Sequence, residues 1–204
     1  MQLIGMLDSP YVRRVAISLK LMRLPFEHRA LSVFRNFDEF SRINPMVKAP
    51  TLVAGNGTVL MDSTLILDYL EHEAGPARSL MPADLGARLH ALQLLGIALV
   101  AADKAVQMHY EHSQRPPEKT HQPWLDRVAG QLREAFRALE PHAERAQPWL
   151  QGSRMLQPDV TVAVAWRFTH FILPGLIDAA AFPALGRLSQ RAEALPEFAG
   201  TPLE

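Results

Sequence analysis

The sequence predicts an α/β fold: a small domain of mixed strands and helices, followed by a second domain of helices alone. Three observations carry this. Short apolar runs alternate with amphipathic stretches near the start of the chain, a hairpin signal over Thr51–Met61 leads straight into helical spacing, and beyond Gly75-Pro76 the apolar residues keep to helical periodicity only.

Taken in order, Leu3-Ile4-Gly5-Met6-Leu7 reads as a short buried strand. Asp8-Ser9-Pro10 stops it and starts a helix, with a capping side chain followed by proline in the first turn. That helix runs to about Arg23 and carries Val12, Val15, Ala16, Leu19 and Met22 on one face. Phe26 to Leu31 is a second strand. Phe34 to Ile43 holds a short helix that Asn44-Pro45 breaks.

The central stretch is Val47-Lys48-Ala49-Pro50-Thr51-Leu52-Val53. Pro50 opens a strand, where its missing N–H costs no ladder bond. Gly55-Asn56-Gly57 tolerates positive φ, and Val59-Leu60-Met61 runs back, making a hairpin. Asp62 or Ser63 caps the next helix, whose apolar positions are Leu65, Ile66, Tyr69 and Leu70. Gly75-Pro76 to Pro82 is the linker, so the expected domains are residues 1–76 and 84–204.

In the second domain a long helix spans Asp84 to about His112. One face carries Leu85, Leu89, Leu92, Leu99 and Val106; another carries Ala91, Leu95, Ala98, Ala102 and Ala105. A helix apolar on two sides is expected to be covered on two sides, once by its own domain and once by a partner subunit. Arg115-Pro116-Pro117 ends it. Trp124, Val128, Leu132, Phe136 and Leu139 stripe the following helix, Pro158-Asp159 starts another that runs to about Leu173, and Phe182 to Leu195 forms the last.

Composition narrows the classes of function. With 204 residues, 48% hydrophobic and 21% charged, the chain is expected to be globular. Lys+Arg and Asp+Glu both number 21, a balance that predicts neither a nucleic-acid partner nor an anionic membrane surface. No uninterrupted apolar run reaches the ~20 residues that span a bilayer, and Met1-Gln2-Leu3-Ile4-Gly5-Met6 lacks the form of a signal peptide, so a cytoplasmic protein is expected. There is no cysteine, which excludes disulfides, zinc-thiolate sites and dithiol redox pairs, and leaves thiol chemistry to a bound substrate.

Chemistry-bearing groups are few. A helix start at Asp62-Ser63 suits a ligand with both charges: main-chain N–H groups attract a carboxylate, and the aspartate grips an amine. Helix capping alone accounts for the same pair. His109 and His112 lie one turn apart with no third ligand at useful spacing, so no metal is expected. Ser9 lacks the Gly-x-Ser-x-Gly surroundings of a hydrolase nucleophile.

Ser9-Pro10-Tyr11, Asn44-Pro45 with Lys48-Ala49-Pro50, Asp62-Ser63, and Asp159 at a buried helix start, in this order and spacing, resemble the cytosolic glutathione S-transferases of the serine type. The resemblance covers essentially the whole chain. It implies a thioredoxin-like first domain, a cis peptide before Pro50, a homodimer, and glutathione as co-substrate. Residue by residue, it implies that Ser9 donates to the glutathione sulfur and that the main chain of Ala49, ahead of Pro50, pairs with the cysteinyl part. It further implies that Asp62 and Ser63 hold the γ-glutamyl ammonium and carboxylate, and that Lys48 faces the glycine end. Tyr11, two positions after Ser9, competes for the sulfur or lines the second-substrate pocket. Leu7, Tyr11, Met108, His109, Tyr110 and Trp166 are the candidates for an apolar electrophile pocket; ordinary core accounts for most of them equally well. Arg13, Arg14 and Arg35 are read as solvated surface. The sequence departs from the family where a Ser/Thr-x-x-Asp box opens the helix near Pro158, because Leu156 stands at the cap position.

Three functions follow from the resemblance: transfer of the glutathione thiolate to small hydrophobic electrophiles, a glutathione-dependent peroxidase, isomerase or reductase on the same site, and a binding protein without chemistry.

Overall fold

The computed structural model describes residues 1–203. They form two compact units: Met1–Met81 together with the residues from Leu195 on, and Pro82–Ala194.

The first unit is built on a four-stranded sheet in the order β2-β1-β3-β4, with β1 at Gln2–Ile4, β2 at Glu27–Arg29, β3 at Thr51–Val53 and β4 at Val59–Met61. β1 and β2 are parallel, joined by the helix α1 at Pro10–Leu21, as a parallel crossover requires. β3 lies antiparallel to β1, pairing Leu3 with Leu52, and β4 returns antiparallel to β3. The helices α2 at Phe37–Ile43 and α3 at Ser63–Ala74 complete the thioredoxin-like arrangement. Leu3, Val12, Val15, Leu19, Leu52, Ile66 and Leu70 form its core, the face that helical and strand periodicity marks out.

The first strand is shorter than its apolar run. It stops at Ile4 because Gly5 takes φ +139°, a conformation side chains rarely adopt. A Cβ at Gly5 would lie 2.6 Å from Val12 Cγ2 and 3.1 Å from Ala49 Cβ. Glycine here lets the end of β1, the first turn of α1 and the segment before Pro50 meet.

The second unit holds α4 (Leu85–Ser113), α5 (Gln122–Glu144), α6 (Gln157–Ile172) and α7 (Pro183–Glu193). α4 packs against both α5 and α6 through Ala91, Leu94, Leu95, Ala98, Ala101, Ala102, Ala105 and Met108, the alanine-rich face. Its other apolar face is exposed: Leu85, Leu89, Leu92 and Val100 retain 81, 69, 52 and 44% of their accessible surface. By length and composition alone α4 is apolar enough to cross a membrane, with an 18-residue window of mean hydropathy 1.6. No uninterrupted run marks it in the sequence, because scattered polar residues break the apolar stretch without lowering its average much.

The sequence reading gives the last residues to the helical domain, but they pack with the first unit. The short helix α8 at Pro196–Ala199 lies against α1. Arg13 Nε donates to the Thr201 carbonyl at 2.8 Å with its guanidinium over the Phe198 ring, and Lys20 Nζ donates to the Gly200 carbonyl at 2.8 Å.

Candidate functional site

Three segments of the first unit present the candidate residues: the start of α1, the segment before β3, and the start of α3. Ser9 is the N-cap of α1. Its carbonyl accepts from Arg13 N at 2.9 Å, but its side chain makes no capping hydrogen bond. Pro10, at the first helical position, has no N–H that needs a partner there. The hydroxyl of a partly exposed serine is thus left at a helix N-terminus, where negative charge is favoured. Tyr11 follows one turn position in, also partly buried.

The segment before β3 is held by buried Asn44. Its Nδ2 donates to Thr51 Oγ1 at 2.8 Å, its Oδ1 accepts from Met46 N at 3.0 Å, and Thr51 Oγ1 donates to the Lys48 carbonyl at 2.7 Å. These bonds tie together the two ends of the stretch from Asn44 to Thr51, and within it Val47 sits at φ +47°, an outlier for a β-branched residue. The Ala49–Pro50 peptide is cis. Ala49 stands outside the ladder, which starts at Thr51, while Lys48 is exposed and Pro50 buried. In the sequence Asn44 reads as a helix breaker and a landmark of the family resemblance; its part in holding this segment depends on Thr51, seven positions on.

At the start of α3, Asp62 is the cap and Ser63 the first helical residue. Asp62 Oδ1 accepts from Thr64 N at 2.9 Å and from Leu65 N at 3.4 Å. The aspartate itself is held at φ +70°, ψ 121°, a backbone conformation costing on the order of 1–3 kcal/mol for a residue with a side chain. Ser63 is buried, and its Oγ accepts from Arg14 Nη1 at 3.0 Å; the same Nη1 lies 3.4 Å from Thr64 Oγ1.

Arg14 corrects the sequence reading. The pattern of the sequence places it with Arg13 on solvated surface, yet the two are 2% and 1% exposed, while Arg35 is exposed. Burial lowers the Arg14 guanidinium to about 10, an effect that Asp62 and Tyr11 oppose. Its Nε has no hydrogen-bond partner among the described residues. A buried cation that reaches from α1 to a serine of α3 joins two of the three segments.

Of the candidate pocket residues, Leu7 and Tyr11 lie in the first unit, Leu7 within its core. Met108, His109, Tyr110 and Trp166 lie in the second. Met108 is buried on α4, whereas Tyr110 is exposed, its ring centroid 5.9 Å from that of His109. Trp166 is an interior residue of that unit, with ring centroids 5.1 Å from Phe136, 6.0 Å from Phe182 and 4.3 Å from His170.

The second unit carries its own buried carboxylates. Asp159 is fully buried; its Oδ1 accepts from Leu150 N at 2.7 Å and its Oδ2 from Leu156 N at 2.9 Å. Leu156 offers no oxygen in return, so only the reverse half of the capping box exists. Burial raises the Asp159 carboxyl to about 6, against the pull of its N–H donors. Glu140 of α5 caps α7 from outside, accepting from Ala184 N at 2.7 Å and Leu185 N at 3.0 Å.

Comparison with known proteins agrees with this arrangement. The glutathione S-transferase N-terminal domain matches over residues 3–78. A glutathione S-transferase of Dianthus caryophyllus is 40% identical over 91 residues; the aligned part is 43% of this chain and 40% of that relative, less than half its length. A maleylacetoacetate isomerase of Dictyostelium discoideum is 26% identical over 199 residues, covering 91% of this chain and 85% of its own. The solved structure of a glutathione transferase family member from Pseudomonas fluorescens Pf-5, with bound glutathione, superposes with a TM-score of 0.86 at 31% identity, over 100% of this chain and 98% of that one. Likeness that runs the full length of both chains, in sequence as well as in fold, means that this chain belongs to the glutathione S-transferase family.

Proposed function

We propose that the protein binds glutathione on its first unit and transfers the thiolate to small hydrophobic electrophiles. The observation that carries this reading is the Ser9 hydroxyl, uncommitted to its own cap at the start of α1. In the proposed complex Asp62 holds the γ-glutamyl ammonium, Ser63 and the α3 N-terminus take the carboxylate, the Ala49 main chain pairs with the cysteinyl part, and Lys48 faces the glycine end. The structure of the Pseudomonas relative with bound glutathione supports the choice of ligand.

The chemistry turns on the ionisation of sulfur. An unperturbed thiol has a pKa of ~8.5 and is mostly protonated at neutral pH, whereas the thiolate is the nucleophile. A hydroxyl donating to an anion contributes roughly 1.5–3 kcal/mol, or one to two pKa units at ~1.4 kcal/mol each. The helix start adds ~0.3–1 kcal/mol. Serine is far too weak an acid to act as the base; it stabilises the anion, and the thiol proton leaves to solvent.

Ultraviolet titration of the thiolate in the glutathione complex tests this. Ser9→Ala is expected to raise the apparent thiol pKa by about one to two units with little change in affinity. An unaltered midpoint removes Ser9 from the role, and Tyr11→Phe then shows whether the neighbouring hydroxyl holds it.

A second reading rests on the long match to a maleylacetoacetate isomerase. There the thiolate adds to a conjugated alkene, the resulting single bond rotates, and elimination returns the thiolate. Glutathione is consumed one for one in conjugation and is regenerated in isomerisation. Following free thiol during turnover of an aryl halide and of a maleyl 1,3-diketone separates the two.

We also infer a homodimer, with a second copy covering the exposed stripe of α4 at Leu85, Leu89, Leu92 and Val100.

A further inference from the structure

The geometry points to Arg14 as a positioning residue that acts through Ser63 and makes the start of α3 selective for a carboxylate. This rests on the glutathione reading of the same helix start and extends it to a buried group that does not itself touch the ligand.

The argument follows from hydrogen-bond valence. A serine hydroxyl has one proton to give and two lone pairs to fill. Arg14 Nη1 donates to Ser63 Oγ at 3.0 Å and cannot accept anything in return, because a guanidinium has donors only. The Ser63 proton is therefore directed away from Arg14. An aspartate or asparagine in place of Arg14 would let the same hydroxyl turn inward as a donor; arginine forbids it. Thr64 Oγ1, 3.4 Å from the same nitrogen, faces the same restriction. Both hydroxyls at the first turn of α3 are thus biased to donate outward, beside a helix N-terminus that favours an anion.

Burial strengthens the effect. Arg14 is 2% exposed, so its charge is little screened by water, and Nε is left without a partner. Asp62 adjoins this cation and caps the same helix, so the two ends of a zwitterion meet different surroundings. The ammonium meets the Asp62 carboxylate, and the carboxylate meets hydroxyls that Arg14 has oriented.

Three ligands and four variants test it. Calorimetry compares glutathione, γ-aminobutyryl-cysteinyl-glycine, which lacks the γ-glutamyl carboxylate, and glutaryl-cysteinyl-glycine, which lacks the ammonium. Arg14→Met should weaken glutathione and the glutaryl analogue by about ten-fold and leave the γ-aminobutyryl analogue nearly unchanged. Arg14→Lys, which keeps a donor-only cation, should recover part of the loss. In the Ser63→Ala background, Arg14→Met should cost only the small remainder that passes through the longer contact to Thr64 Oγ1. Equal losses for all three ligands, or a full Arg14 effect persisting without the Ser63 hydroxyl, would overturn the proposal. If Arg14→Met does not fold, Arg14→Lys carries the same ligand comparison, with a loss of roughly three-fold confined to the two carboxylate-bearing ligands. Wild-type protein that fails to bind glutathione, or Ser63→Ala that binds all three as tightly as wild type, overturns the glutathione reading of this helix start and the role of Arg14 with it.

Discussion

Two aspartates stand at helix starts in the two units, and they are used differently. Asp159 of the second unit is fully buried and both its oxygens are committed, one to Leu150 N and the other to Leu156 N. Asp62 of the first unit is partly exposed, and its cap bonds to Thr64 N and Leu65 N both fall on Oδ1. Asp62 also sits in a costly backbone conformation, while no such outlier occurs at Asp159. The difference separates holding a fold from holding a ligand. A carboxylate that closes a loop onto a helix in the interior has no capacity left, whereas one that caps with a single oxygen at the surface keeps the other for a cation.

Replacing each by alanine should break the comparison most visibly. Asp159→Ala leaves the buried Leu156 N–H and the part-buried Leu150 N–H without an acceptor, at about 1–3 kcal/mol each, so urea unfolding should show a loss of roughly 2–6 kcal/mol. Glutathione affinity of the remaining folded protein should be unchanged. Asp62→Ala should cost only about 0.5–2 kcal/mol of stability, the usual worth of a cap, yet weaken glutathione by roughly one to two decades. If the affinity loss followed the stability loss in both variants, the division of labour between the two aspartates would be wrong.

What could be read from the sequence follows the same line. The Asp62 cap, the hairpin and the alanine-rich face of α4 were legible because each is written in residues close together or at regular spacing. Arg14 was not. Consecutive arginines on a helix look like solvent-facing charge, and nothing local says that α3 begins above one of them and that Thr201 closes over the other. Glu140 escaped notice for the same reason, since the N–H groups it caps lie 44 and 45 residues further on. Buried polar groups are settled by tertiary partners, and periodicity is silent about those. Strand ends were misjudged where backbone conformation overrode apolar pattern, as at Gly5.

The Asp159 carboxyl gives a smaller effect with a definite sign. Its pKa rises from 3.8 to about 6 in the fold, because burial disfavours the charged form. A raised folded-state value means that the native state binds the proton more tightly than the unfolded chain. The contribution is therefore fully present below the unfolded value and is lost as pH rises through the folded one. Between pH 7 and pH 5 this group should add about 1 kcal/mol to stability. Asp159→Asn does not titrate, so the change in denaturation midpoint over that interval should be smaller in the variant by this amount. Identical pH dependence in the two proteins would show that Asp159 stays ionised in the fold throughout.

The smallest effect concerns the exposed side of α4, where the second unit, unlike the first, offers a long apolar stripe. Gly96 lies on that stripe, spaced four residues from both Leu92 and Val100, and a Cβ added there meets nothing within 4 Å. Replacing a helical glycine by alanine stabilises by roughly 0.5–1 kcal/mol when the position faces water. With a second copy packed on the stripe, the added methyl falls inside the interface, and the close approach that glycine permits is lost. Gly96→Ala should therefore raise the urea midpoint at low protein concentration by the full helical amount, and progressively less as concentration rises and the dimer fills. Light scattering of the wild type over the same range should show the mass climbing above the 22.8 kDa of one chain. A gain that is the same at every concentration, with the mass fixed at one chain, would take the second copy off this face.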